Sequence, residues 1–209
     1  MRALFVGNSF TARNDVPGMI AQLAQSCGEK LEHVLISAGG ASLRRHWNKG
    51  DAQRTFTESR FDVVVLQEQS TLPVKNANRM FENVRLFDET IRESGARTVL
   101  YMTWARQHEP HNQRVIADAY TAIGAELGAA VAPVGIAWER FLATHTSPLL
   151  HDKDKSHPTL AGSYLAACVL FSVLFNRSPV GLAAPATGLS PADATALQLA
   201  ATTHDYGAQ

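Results

Sequence analysis

Five short apolar runs, at residues 3–6, 34–37, 62–66, 98–102 and 130–134, punctuate this chain without the polar alternation of a strand that has one wet face. Strands of that kind, buried on both faces, belong to parallel sheets covered by helices. Helical stripes lie between them. Residues 17–27 carry Met19, Ile20, Leu23, Ala24 and Cys27 on one face, with Asp15 near the cap and Gly28 just past the end. Residues 77–93 repeat the pattern with Met80, Val84, Phe87 and Ile91 before Ser94-Gly95, and residues 112–127 do so with Val115, Ile116, Ala119, Ile123 and Leu127. Right-handed crossovers then place successive strands side by side, with helices on both faces. The expected fold is α/β, a three-layer α/β/α sandwich with a five-stranded parallel sheet of flavodoxin-like architecture.

In such a sheet the chemistry sits beyond the carboxyl ends of the strands. Four strand ends deliver glycines or polar residues to one rim: Ser9, Gly39-Gly40, Gln67 to Ser70, and Thr103 to Arg106. Ser9 stands in Gly7-Asn8-Ser9, a turn leaving the first strand, and near the other end Asp154-x-x-His157 sets an acid three residues before a histidine. A serine hydroxyl is a poor nucleophile until a base takes its proton; His157 can do so while Asp154 holds its other ring nitrogen. Ser, Asp, His is also a chain order used by serine hydrolases. Pro158 biases His157 toward extended backbone and suits the first turn of a helix over 158–175, leaving the imidazole at a loop-to-helix junction. Each motif alone has a plainer meaning, a polar turn or a helix cap. Their joint placement at one rim of an α/β chain makes ester cleavage the leading expectation.

Composition excludes other classes. With 209 residues, 45% of them hydrophobic and 18% charged, the chain can bury one sizeable core, and 1–209 reads as a single domain. Residues 178–209, a Pro/Gly/Ala-rich connection and a last helical pattern over 191–202, form a C-terminal extension packed on it. Nineteen basic residues balance nineteen acidic ones without long blocks of either sign, so neither nucleic acid nor an anionic membrane is an expected partner. The longest apolar stretch, 164–175, is too short to span a bilayer. No signal peptide is legible before the first strand, which makes the cytoplasm the default location. Cys27 and Cys168 lack metal or redox spacing and suit buried thiols. His108, His111, His145, His151 and Asp152 do not form a helical zinc motif, so no metal and no cofactor are expected; His151 alone among them can approach the site.

Gly7-Asn8-Ser9 together with Asp154-x-x-His157 resembles the SGNH, or GDSL-type, hydrolases, and the similarity runs in the family's order along nearly the whole chain. Asn8 stands where that family has Asp. The resemblance implies an acyl-enzyme on Ser9, with Asp154 and His157 completing the catalytic set. It also implies an oxyanion hole built from the Ser9 N–H and a second-block glycine, for which Gly39-Gly40-Ala41-Ser42 favours Gly40. The third block departs from the family's Gly-x-Asn-Asp and reads Gln67-Glu68-Gln69-Ser70. Aligning on the strand end sets Gln69 at the Asn position, where its carboxamide can donate the same hydrogen bond; Gln67 is the alternative donor. The wording of this block is similar to a subgroup with a Gln-containing third block.

Substrate contacts are sought among Gln67, Trp104, Arg106 and Trp47, with core packing the plainer role for Trp104 and also for Trp138. Short loops and no long apolar lid favour a short acyl group, such as acetyl, on a carbohydrate or other polar alcohol. The same residues would serve a thioesterase, a lysophospholipase-type enzyme or an acyltransferase. Outside enzymes, a flavodoxin-like flavin module or a carbohydrate-binding scaffold shares the architecture but leaves Asp154-x-x-His157 unexplained. A homo-oligomer is compatible with any of these.

Overall fold

A computed structural model describes residues 1–184 and 188–202; the rest of the expected 178–209 extension lies outside the described residues. Strands β1 (Arg2–Gly7), β2 (Glu32–Ser37), β3 (Val63–Leu66), β4 (Arg97–Tyr101) and β5 (Ala130–Ala132) form one parallel sheet. The helices are α1 (Ser9–Ala12), α2 (Val16–Ser26), α3 (Leu43–Lys49), α4 (Asp51–Glu58), α5 (Leu72–Lys75), α6 (Ala77–Glu93), α7 (Asn112–Leu127), α8 (Val134–Thr144), α9 (Leu160–Phe175) and α10 (Pro191–Ala200).

Strand order is β2-β1-β3-β4-β5, so the expectation that successive strands all lie side by side fails at one step. β3 pairs with β1, Val6 opposite Leu66, while Gly7 of β1 lies opposite Ser37 of β2. The sheet therefore changes its direction of growth at β1, and that switch opens a crevice beyond the carboxyl end of β1, where Ser9 begins α1. The second correction concerns β2. As an edge strand it is not buried on both faces: Glu32 and His33 are exposed, and Val34, Leu35 and Ile36 are only half-buried.

Side-chain alternation along the strands divides the core in two. Ala3, Phe5, Val63, Val65, Val99 and Tyr101 pack toward α2, α8 and α9, whereas Leu4, Val6, Val64, Leu66 and Leu100 meet α3, α4, α6 and α7. α9 is apolar all round because it is covered all round: 12 of its 16 residues are buried, against β5, α2, α8 and α10. No helix among the described residues is long and apolar enough to cross a membrane. α10 is tied down by Gln198, whose Nε2 donates to the Tyr164 hydroxyl at 2.7 Å and to Leu182 O at 2.9 Å. Cys27 and Cys168 are both free thiols, and burial pushes Cys168 up to about 12.

Most boundaries shift by a residue or two from the sequence expectation, and two of the shifts have identifiable local reasons. β5 stops at Ala132 because Pro133 has no N–H to give the ladder, and Val134 already belongs to α8. α9 starts at Leu160 because the Thr159 hydroxyl accepts from Gly162 N at 3.2 Å and caps the helix, leaving Pro158 outside it in an antiparallel bridge with His151.

Candidate active site

The turn after β1 is built by three polar residues beneath it. Gly7 must be glycine: a Cβ there would lie 2.7 Å from both Gln67 Oε1 and Thr11 Oγ1. The Gln67 carboxamide fills that space. Its Oε1 accepts from Asn8 N at 2.9 Å and Thr11 Oγ1 at 3.0 Å, and its Nε2 donates to Glu68 O at 2.5 Å. Asn8 then caps α1, its Oδ1 accepting from Phe10 N at 3.0 Å, while its Nδ2 donates to Ala41 O at 3.0 Å. The second contact explains why Asn can stand here in place of Asp. A carboxylate would cap the helix equally well but would turn an acceptor toward the Ala41 carbonyl. Asn8→Asp is therefore expected to cost about 1–3 kcal/mol and to loosen the loop that carries Gly40. Thermal melting checks the first effect, and faster amide hydrogen exchange in residues 38–42 checks the second.

At the other end, Ser9 Oγ lies 2.9 Å from His157 Nε2, and His157 Nδ1 lies 2.5 Å from Asp154 Oδ2. Because a carboxylate only accepts, Nδ1 carries the proton, and Nε2 is left as the acceptor facing the serine. The other Asp154 oxygen accepts from the backbone N–H groups of Ser156 and His157, at 3.0 and 2.9 Å. The His157 ring and these N–H groups hold the Asp154 carboxyl well below the usual carboxylate range, so it stays ionised in ordinary buffers.

The loop bearing Asp154 and His157 is pinned from several sides. Phe10, Trp104 and Trp138 form a stack with centroid separations of 4.6 and 3.9 Å, and the His157 ring meets Phe10 at 5.4 Å in an edge geometry. Trp104 Nε1 donates to Ser156 O at 3.0 Å, Gln107 N to Lys155 O at 2.9 Å, and His151 Nε2 to Ala105 O at 3.0 Å. Arg13 bridges to Asp152 at 2.6 Å, and Asn14 Nδ2 reaches Ser163 Oγ and Thr159 O. Asn14 and Asp15 adopt left-handed backbone to make that approach, which Asn and Asp tolerate better than other residues that carry a Cβ. The two halves of the serine–histidine pair, 148 residues apart, are thus held by contacts on both segments.

Three further groups face the same rim. Ser9, as the first residue of α1, has an N–H without an intrahelical acceptor. Gly40 sits in a left-handed turn, φ 61°, and its N–H makes no hydrogen bond among the described residues. Gln69 Oε1 accepts from the N–H and hydroxyl of Thr71, both at 2.9 Å, which orients the amide and leaves Nε2 without a partner among the described residues. Gln67, by contrast, is 1% exposed, its Oε1 accepting two hydrogen bonds and its Nε2 donating one beneath the turn. It is a strut and not a surface donor. Trp104 is buried in the stack and also lines the cavities beside Arg106, and the partly buried Trp47 packs edge-on against Phe87 of α6 at 5.3 Å. Arg106 remains at the rim of a cavity.

Sequence reasoning missed Glu68. Its carboxylate is fully buried, accepts from Leu43 N at 3.0 Å, Gln69 N at 2.7 Å and Asn83 Nδ2 at 2.7 Å, and so ties the glycine loop to the Gln block. Burial pushes its pKa up, against the pull of those donors. A charged residue two positions after a four-residue buried strand was the available signal. His46 was also missed; its buried Nε2 donates to Gly7 O at 2.7 Å, and burial lowers its pKa, as it does for His151. His151 thus supports the loop from below and does not face Ser9.

The chain matches no protein-family model and no curated protein sequence. Solved structures do resemble it. A candidate SGNH hydrolase from Slackia heliotrinireducens is 29% identical, covers 83% of this chain and 98% of its own, and superposes with a TM-score of 0.71. A DUF4886 family protein from Bacteroides uniformis, 19% identical, covers 96% of this chain and 93% of its own at 0.78. The psychrotrophic esterase EstA from Pseudoalteromonas, solved inhibited by monoethylphosphonate, is 14% identical, covers 84% and 97%, and scores 0.61. The fold is that of the SGNH hydrolases, a five-stranded parallel sheet flanked by helices. Esterases are among its structural neighbours at low identity.

Proposed function

We propose that the chain is a serine esterase that cleaves short acyl esters, acetyl foremost, from a carbohydrate or other polar alcohol. The observation that carries this reading is the hydrogen-bonded line from Ser9 Oγ through His157 to Asp154, at 2.9 and 2.5 Å. His157 Nε2 takes the Ser9 proton as Oγ attacks the acyl carbonyl, and Asp154 stabilises the imidazolium that results. The N–H groups of Ser9 and Gly40 and the Gln69 side chain receive the tetrahedral oxyanion, each such donor lowering the barrier by about 3 kcal/mol. His157 returns its proton to the leaving alkoxide, then activates water to release the acid and free Ser9.

We assign the third block to a Gln-containing variant in which Gln69 replaces the usual Asn donor and Glu68 positions it. The short-acyl preference rests on an open site, with Asp154 and His157 side chains 48% and 32% exposed, and on small neighbouring cavities of about 240 and 290 Å³. A panel of 4-nitrophenyl esters from acetate to decanoate tests it. Turnover per KM is expected to peak at two to four carbons; a maximum at eight or more would overturn the short-acyl assignment. Thioesters and an added alcohol acceptor in the same panel separate oxygen-ester hydrolysis from thioester cleavage and transfer.

A further inference from the structure

We propose that Arg106 recognises an acid group on the substrate, so that the preferred ester carries a carboxylate or similar oxyanion close to the scissile bond; this rests on the esterase reading of Ser9. Arg106 lines the cavity of about 240 Å³ together with Ser70, Thr71, Lys75, Glu109 and Asn112. Ser70 and Thr71 directly follow Gln69, and Trp104, two residues before Arg106, stacks on Phe10 beside the nucleophile. The cavity therefore adjoins the place where an acyl group or its alcohol must lie.

The backbone that carries Arg106 is fixed. Ala105 N donates to Gln113 Oε1 at 2.8 Å, and Ala105 O accepts from His151 Nε2 at 3.0 Å. Among the described residues, Arg106 Nε is buried with no hydrogen-bond partner, and no carboxylate lies within ion-pair distance of the guanidinium. Three other arginines, Arg45, Arg60 and Arg79, also lack side-chain partners among the described residues, but all are exposed, where water serves them. Arg106 alone combines partial burial with an unpaired cation. Glu109 shares the cavity yet accepts from Asn112 Nδ2 at 3.2 Å, and Lys75 adds a second cation; Arg106 also borders a cavity of about 290 Å³ that Glu139 lines without pairing with it. A planar guanidinium held this way matches a carboxylate through two parallel N–H donors.

The test compares acid-bearing esters with neutral counterparts on the full chain. One arm puts the acid on the acyl side, mono-4-nitrophenyl succinate against 4-nitrophenyl butyrate; the other puts it on the alcohol side, 3-acetoxybenzoate against phenyl acetate. The native protein is expected to prefer the acid-bearing ester in one arm by roughly tenfold or more in kcat/KM, mainly through KM. That preference should shrink as salt is raised. Arg106→Met should cut it by roughly ten- to a hundredfold and Arg106→Lys should restore part of it. No preference in either arm, or a preference that Arg106→Met leaves intact, overturns the proposal. Fluorophosphonate labelling of Ser9 in the same samples reports on the nucleophile separately: labelling without charge preference sinks Arg106 alone, and absent labelling sinks the esterase reading beneath it.

Discussion

Replacing Ser9 by alanine is expected to lower kcat for ester hydrolysis by about 10⁵- to 10⁶-fold while leaving the melting temperature where it was. The first effect follows from removing the atom that attacks; what remains is the slow reaction of water beside the oxyanion donors. The second follows from the local contacts. Ser9 Oγ has one hydrogen bond, to His157, in a partly exposed position. The turn itself is held by Asn8, Thr11 and Gln67, none of which touches the hydroxyl. Circular dichroism melts and initial rates on 4-nitrophenyl acetate measure both. A loss below tenfold, in a protein that still melts normally, would mean that another residue carries the reaction.

Trp104→Ala is expected to have the largest effect on stability, about 3–5 kcal/mol, or a fall in Tm on the order of 10 °C. The indole is sandwiched between Phe10 and Trp138 and is 2% exposed, so its removal opens a void that two other rings line. It also strands the Ser156 carbonyl, whose donor is Trp104 Nε1. Ser156 lies between Asp154 and His157, so activity should fall further than stability alone explains. Trp104→Phe separates the two effects. It keeps most of the stacking surface and loses the N–H, so it should melt within a few degrees of the native chain yet turn over more slowly. Equal activity in Trp104→Phe and the native protein would show that the Ser156 contact does not position His157.

How much of this was legible in the sequence depended on the range of the interaction. α6 and α7 begin and end where the apolar stripes and caps predict, because periodicity and capping are local properties. Strand order was not legible. Burial patterns report how wet a strand is and not which neighbour it pairs with, and the edge position of β2 was hidden by its Val-Leu-Ile run. Ser9 and the Asp154/His157 pair could be found because each sits in a short motif, whereas Glu68 acts on Leu43 and Asn83, 25 and 15 residues away. Gln67 and Gln69 looked interchangeable as letters. They differ in three dimensions because β3 ends at Leu66 and the chain turns away after it: Gln67 stays beneath the β1 turn, where Asn8 N and Thr11 engage it, while Gln69 lies in the loop beyond, bonded to Thr71. Trp104 likewise carried two readings, and the packing of Phe10 and Trp138 on its faces decided for the core.

The central claim is that Ser9 is an activated nucleophile, and covalent labelling with a fluorophosphonate followed by peptide mapping tests it most directly. The native chain should yield one adduct, on Ser9; Ser9→Ala should yield none, and His157→Ala should label at least a hundredfold more slowly. An adduct on any other residue, or no adduct on folded native protein, would contradict it.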